Sequence, residues 1–364
     1  MFPGAALEMN KMARTTSLDT QNDGCKSPNS EKKQDIIWVN TVVFIFANMV
    51  GIYILPHFLF TIDWSTFLFT WFLVVFSSMG ITAGAHRLWS HKSYKANAPL
   101  RLLLMIMNST MFSNSIYAFV RDHRVHHKFV DTDADPHNSK RGFFYSHMGW
   151  LMVKRLPVTK ERVKQIDMSD IERDKIVMFQ RDYQALLMPL FTLVIPTLIP
   201  VYFWGCDPWE AFLVCGIARW AITLHGVWAV NSFAHLYGYQ SYDTSLSARQ
   251  NVYVSFWAFG EGWHNYHHAF PWDYKTSEYP YHVNLTTAFI DCFAKIGWAY
   301  DLKTVKPDVI ARRVARTGGR SQHLNGVSKT ENFVELSHNN IWGWDDTELT
   351  ESQKEIALVV SPSN

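Results

Sequence analysis

Four long apolar runs divide the chain, at residues 36–56, 64–85, 186–203 and 210–234, with few or no charges in each. Each is long enough to cross roughly 30 Å of hydrocarbon as a helix. The pattern therefore predicts an all-α membrane protein, with four transmembrane helices and a cytosolic helical cap. A fifth apolar stretch, residues 100–120, is interrupted by Asn108, Ser109, Ser113, Asn114 and Ser115. It is expected to lie on or in one membrane face as an amphipathic helix, because a crossing there would send the chemistry on either side of it to opposite faces. Nothing repeats at a fixed period, and Pro99, Pro157, Pro271 and Pro280 divide the polar parts into helices and turns. Residues 1–34 are polar, lack the order of a signal peptide and are expected to form a disordered cytosolic tail. Residues 35–318 then form one domain, and residues 319–364 are expected to be a polar tail that packs little.

Charge assigns the sides. The turns at 57–63 and 204–209 contain no Lys or Arg, whereas residues 121–181 contain 13. Basic residues gather on the cytosolic side, so the long middle segment and both termini are expected there. The 364 residues are 48% hydrophobic and 15% aromatic. A mean hydropathy of −0.09 leaves a large share of the chain for water. The net charge of +2 gives no sign of a nucleic-acid partner. Cys25, Cys206, Cys215 and Cys292 have unrelated spacings, which fit neither a zinc motif nor a disulfide framework.

The chemistry sits in the histidines. His86 and His91, then His123, His126 and His127, then His264, His267 and His268 flank the apolar runs, and His235 follows Asn231 by one helical turn. In H-x-x-H-H, positions i, i+3 and i+4 share one helix face, so several imidazoles can reach one centre. His86 and His91 are five apart, about 140° around an ideal helix, and can converge only if that helix bends or unwinds. Two crossings separate His127 from His264, so all clusters emerge on one face. Nine imidazoles exceed what one metal binds, and two metals with four or five nitrogens each are expected. Imidazole suits iron, copper, zinc and nickel alike, and an oxygen-activating di-iron centre is a common use of a paired site among helices. Asn231 is a candidate ligand through water. Asp122, Asp133, Asp135 and Glu261 are available to orient the rings. Isolated histidines such as His57, His137, His147, His225 and His282 are expected in core or surface roles. Arg219, inside the last apolar run, is functional, internally paired or snorkels to the membrane surface. A metal transporter would carry polar ligands inside several spans, whereas these clusters lie at helix ends.

The motifs G-I-T-A-G-A-H-R-L-W-S-H, R-D-H-R-V-H-H-K, D-A-D-P-H-N, R-G-F-F-Y-S-H-M-G-W, V-N-S-F-A-H-L-Y-G and G-E-G-W-H-N-Y-H-H-A-F-P-W-D-Y together resemble the membrane acyl-CoA desaturases of the stearoyl-CoA desaturase type, over residues 38–319. The motif I-W-G-W-D-D at 341–346 resembles the insect branch, which includes enzymes of pheromone biosynthesis. The resemblance implies removal of two hydrogens from an acyl chain on coenzyme A in the endoplasmic reticulum membrane. It also implies two iron ions, O2, and electrons from cytochrome b5 and its NADH-dependent reductase. Breaking an unactivated C–H bond lies beyond any side-chain acid or base, which agrees with a redox metal centre. By the same resemblance, Arg121, Lys154 and Arg155 contact the coenzyme A phosphates, with Asn40 and Asn114 as polar contacts and Trp150 and Trp228 on the acyl tunnel. The chain departs from the family where Ser113 precedes Asn114, and at Phe119 and Val227, near the expected tunnel bend. Val74 and Ser78 stand at the tunnel end, where the mammalian type carries Tyr and Ala. The alternative reading is a membrane fatty-acid or sterol hydroxylase of the wider histidine-box group.

Overall fold

A computed structural model describes residues 34–319 and 340–360, and the expected N-terminal tail lies outside the described residues apart from its last position. The architecture is helical. Helix α1 (Trp38–Phe60) leads into α2, which is α-helical over Trp64–Met79 and widens to a π-helix over Gly80–Ser90. Helices α3 (Ala98–Ser109) and α4 (Ile116–Phe129) follow. Helices α5 (Gln184–Trp204) and α6 (Pro208–Leu236) are long and apolar, each containing a π-helical stretch. Three helices, Trp64–Ser90, Gln184–Trp204 and Pro208–Leu236, are long and apolar enough to cross a membrane by length and composition, and Trp38–Ile54 is a shorter apolar helix within α1. Short helix α7 (His264–Ala269) and helices α8 (Leu285–Lys295) and α9 (Pro307–Thr317) complete the described helices that matter for the site. Two small antiparallel ladders are additions to the all-α expectation. Strand β1 (Lys95–Ala96) pairs with β2 (Ala299–Tyr300), and β3 (Leu302–Val305) pairs with β4 (Ala357–Val360) in the register Leu302↔Val360.

The expected single helix over residues 100–120 is a break between two helices. Its small polar residues end α3 and start α4, since Ser115 Oγ accepts from the Ala118 N–H and caps the second helix. Gln180 seals the break, accepting from the Ile116 N–H at 2.8 Å and donating to Asn108 Oδ1 at 2.7 Å. Arg219 seals it from the other side. Its buried guanidinium donates to the carbonyls of Thr110 (2.7 Å), Thr192 (2.6 Å) and Cys215 (3.1 Å), so the internally paired reading of that arginine holds.

Helix α3 lies across the π-helical half of α2. A Cβ on Gly80 would sit 2.1 Å from the Asn108 nitrogen, so only glycine permits this approach. The main core runs through this contact, with Leu100, Leu104 and Met111 buried against Ala83, Ala85 and Trp220.

The C-terminal segment differs from the expectation of a tail that packs little. Residues 340–360 bury Ile341, Trp342 and Leu349 and add β4 to β3. The sequence there is polar on average, but these three apolar anchors are spaced through it, and each removes apolar area from water at about 25 cal/mol per Å2.

Candidate metal centre

Each cluster owes its aim to local backbone. In the π-helix the His91 N–H bonds the His86 carbonyl at 3.1 Å, the i to i+5 closure that an α-helix lacks. That wider turn stacks two histidines five residues apart on one face, which resolves the 140° mismatch. Helix α4 presents His123, His126 and His127, α7 presents His264, His267 and His268, and His235 ends α6.

The rings form two groups. His86, His91, His123, His127 and His267 make one, and His126, His235, His264 and His268 make the other. Within each group the candidate ligand atoms all lie within 4.8 Å of one another. In the five-ring pocket, Nε2 atoms are 2.8 Å apart for His91 and His123, and 3.1 Å apart for His86 with His267 and His267 with His127. In the four-ring pocket the spacing is 3.0 Å for His264 with His235 and 3.1 Å for His268 with His264.

Outward from the pockets, acceptors hold the opposite ring nitrogens. His126 Nδ1 donates to Asp135 Oδ2 at 2.9 Å, and His86 Nδ1 faces Glu261 Oε2 as an ion-pair contact at 2.9 Å. His91 Nδ1 donates to the Trp342 carbonyl. His235 Nδ1 lies 3.2 Å from Ser247 Oγ and 3.8 Å from Asp131 Oδ2. Glu261 is itself held by Arg87 Nε at 2.9 Å, and fully buried Arg87 also donates to the Tyr274 carbonyl, Thr287 Oγ1 and Asn284 Oδ1. Carboxylates and carbonyls only accept, so a neutral ring with its proton on Nδ1 turns a bare Nε2 lone pair inward. Burial pushes His91, His123, His127, His264, His267 and His268 well below the ordinary 6.5, and neighbouring rings push the same way. Burial alone would raise the carboxyls, but Arg87 and His86 bring Glu261, and His126 and His137 bring Asp135, below the usual carboxylate range.

Converging lone pairs repel unless a cation sits among them, so the donor set fits metal. Two nitrogens bound at about 2.1 Å and at right angles lie about 3.0 Å apart, against about 3.4 Å for a tetrahedral pair. The observed 2.8–3.1 Å matches the right-angled case, and five rings exceed a closed tetrahedral site. These are histidine clusters that could hold a metal.

A narrow apolar cleft reaches the five-ring pocket. Asn114, Phe119, Trp150, Val227, Trp228 and Asn231 line it together with His86, His123 and Glu261. Phe119 stacks on His123 with ring centroids 5.6 Å apart. Asn231 lies on this cleft and in neither ring group. Asn40 donates to the carbonyl of Leu151, a lining residue, at 2.8 Å. Arg121 and Arg155 both pair with Asp122 on the same lining, and Lys154 pairs with Asp35 at 3.1 Å. Val74 and Ser78 are buried on α2 before its π-helical half, away from the cleft's lining.

Of the four acids singled out, Glu261 and Asp135 touch rings, Asp122 binds the two arginines, and the Asp133 carbonyl accepts from Thr159. Sequence reasoning missed the Asp131 carboxylate and the Trp342 carbonyl. It also set aside His137, which is buried beside His126 with its Nδ1 3.6 Å from Asp135 Oδ1 and is pushed by burial down to about 3. The D-A-D-P-H-N spacing after His127 was the available signal, since a loop that short must fold back on α4.

Fold and site define a helical protein with membrane-length apolar helices and paired imidazole pockets at their ends. The family model described as fatty acid desaturase matches residues 62–288. An acyl-CoA Delta-9 desaturase of Acheta domesticus is 47% identical over 95% of this chain and 92% of its own length. An acyl-CoA Delta-12 desaturase of Tribolium castaneum is 42% identical over 95% and 97%. A stearoyl-CoA desaturase of Homo sapiens is 48% identical over 79% of each chain. The chain belongs to the fatty acid desaturase family.

Proposed function

We propose that this chain is an oxygen-dependent acyl-CoA desaturase that inserts a C=C bond into a fatty acyl chain. The observation that carries the reading is the two-pocket gathering of nine imidazoles beside an apolar cleft, in a chain of this family. Two iron ions are the proposed occupants, one among the five rings and one among the four, with Asn231 contributing through water. Such a pair supplies the oxidising power for unactivated methylenes, which no side-chain acid or base provides.

The residues of the chain do the rest. Outer acceptors beside His86, His91, His126 and His235 keep those rings in one tautomer and orientation, so their Nε2 atoms stay aimed inward. Trp150, Trp228, Val227 and Phe119 clamp the acyl chain and exclude water from the reacting carbons. Arg121, Arg155 and Lys154 meet the coenzyme A phosphates, with Asn40 and Asn114 as nearby polar contacts; each cation is already paired to an acid that phosphate would displace or share. Val74 and Ser78 bear on chain length where the acyl methyl end extends along α2. The balance is one acyl CH2–CH2, O2, two electrons and two protons in, and one CH=CH and two waters out. Cytochrome b5, reduced by its NADH-dependent reductase, is the proposed electron donor.

Four crossings, with α1 as the first, place both termini and the clusters on the cytosolic side of the endoplasmic reticulum membrane. The charge contrast between residues 121–181 and the two short turns supports this orientation. Expression in desaturase-null yeast fed saturated acids, with double-bond mapping of the lipids, tests the activity. Unsaturated product is expected from the natural chain and none from His126→Ala at equal protein level. A hydroxylated lipid in place of the alkene would overturn the reading in favour of a hydroxylase.

A further inference from the structure

His91 is oriented differently from the other rings that carry an outward partner. His86 and His126 lean on carboxylates and His235 faces a serine hydroxyl and a carboxylate, whereas His91 Nδ1 meets a main-chain carbonyl, that of Trp342, 251 residues along the chain. The segment bearing that carbonyl is held from several directions. The Trp344 N–H donates to the His91 carbonyl at 3.0 Å. A Cβ on Gly343 would lie 2.5 Å from the His91 oxygen and 2.7 Å from its Cα, so this segment presses on His91 as closely as glycine allows. The Trp342 ring lies 3.8 Å from the Arg124 guanidinium, which also binds the Trp89 and Ser90 carbonyls at the end of the π-helix. Buried Asp346 accepts from the Trp342 N–H and from Lys128 Nζ, both at 2.8 Å. Asp345 pairs with Lys92, the residue after His91, at 2.6 Å.

We infer that residues 341–346 form a positioning strap for the five-ring pocket: the Trp342 carbonyl fixes the tautomer and aim of His91, so metal retention there depends on the C-terminal segment. Trp342 is a positioning residue acting through its main chain, with Gly343 setting the approach and Asp346 anchoring the turn. The inference rests on the two-metal reading above.

The test is metal stoichiometry on the purified full chain, by elemental analysis during challenge with a chelator. Gly343→Val forces the strap off His91, and Asp346→Asn is a milder variant should the first fail to fold. Retention at one pocket should weaken about 10–100-fold in either variant, as for loss of other outer partners of metal-bound rings, so iron falls from about two per chain toward one. Adding Gly343→Val to His91→Ala should lower metal retention no further, because both changes act on one ring. Two ions held as in the natural chain by both variants overturn the strap, and so does loss of both ions together or full additivity with His91→Ala. A natural chain that binds no metal overturns the two-metal reading first and the strap with it, which separates the two failures.

Discussion

The two pockets are built from similar rings but are held by different kinds of structure. The four-ring pocket leans on a nearby loop, since Asp135 lies nine residues from His126, and the same loop carries Asp131 toward His235. The five-ring pocket leans on distant chain, with Glu261 against His86 and Trp342 against His91. Glu261 is moreover one end of a buried network through Arg87 that reaches Tyr274, Asn284 and Thr287. The outer support of one pocket is thus local to a single loop, whereas that of the other reports on how the halves of the chain are joined. Damage to the loop should be felt as lost affinity, and damage to the buried Arg87–Glu261 network as lost fold.

Removing a ring should have the largest effect and should divide the pockets cleanly. His267→Ala and His264→Ala should each abolish unsaturated product, while elemental analysis shows each retaining metal in the opposite pocket. Equal loss of both ions from either variant would erase the distinction. Next in size is Glu261→Gln, which leaves Arg87 buried without its carboxylate and should cost about 3–5 kcal/mol, read as lowered thermal stability in detergent. Asp135→Asn should spare the fold and weaken metal retention in the four-ring pocket about 10–100-fold, measured by chelator challenge.

Acidification should separate fold from metal as well. Burial holds His123, His127, His264 and His267 well below 6.5 when folded, so at these rings the unfolded chain binds protons first as pH falls. Metal-free protein should therefore lose thermal stability as pH drops below about 6.5, with little change above it. Asp135 and Glu261 carry lowered folded values, so their contribution is present above the ordinary carboxylate range and is lost only further down. A melting temperature that rises on acidification would contradict the neutral-ring assignment. The smallest effect belongs to the cleft. Val227→Thr, beside Trp228, should leave metal content unchanged and shift double-bond position or chain-length preference by about 1 kcal/mol, a few-fold change in product ratio by gas chromatography.

The rings were legible from sequence because their spacing is a local, periodic signal beside apolar runs. His86 and His91 were the exception, and the need for a distorted helix could be stated while its form could not. The π-helix follows from packing, with Gly80 and Gly84 letting α3 approach, and no short-range propensity reveals it. The break between α3 and α4 was misread for a similar reason. Asn108, Ser109 and Ser115 read as the wet face of one helix until Gln180 and Arg219, far along the chain, satisfy the groups the break exposes. Average polarity hid the C-terminal strap, because three buried apolar residues among many polar ones leave no periodic trace.

Arg87 staples the π-helix to residues near 261–287, and the five-ring pocket takes rings from His86 through His267 with its outer partner at residue 342. During synthesis the first four of those rings emerge long before the last. The five-ring pocket lacks its last ring until residue 267 has left the ribosome and the four-ring pocket until residue 268, and His91 lacks its carbonyl for some 70 residues more. If the pockets take the proposed ions, loading would be a late event in the life of this chain, and a nascent chain arrested before that point should carry no tightly held ion.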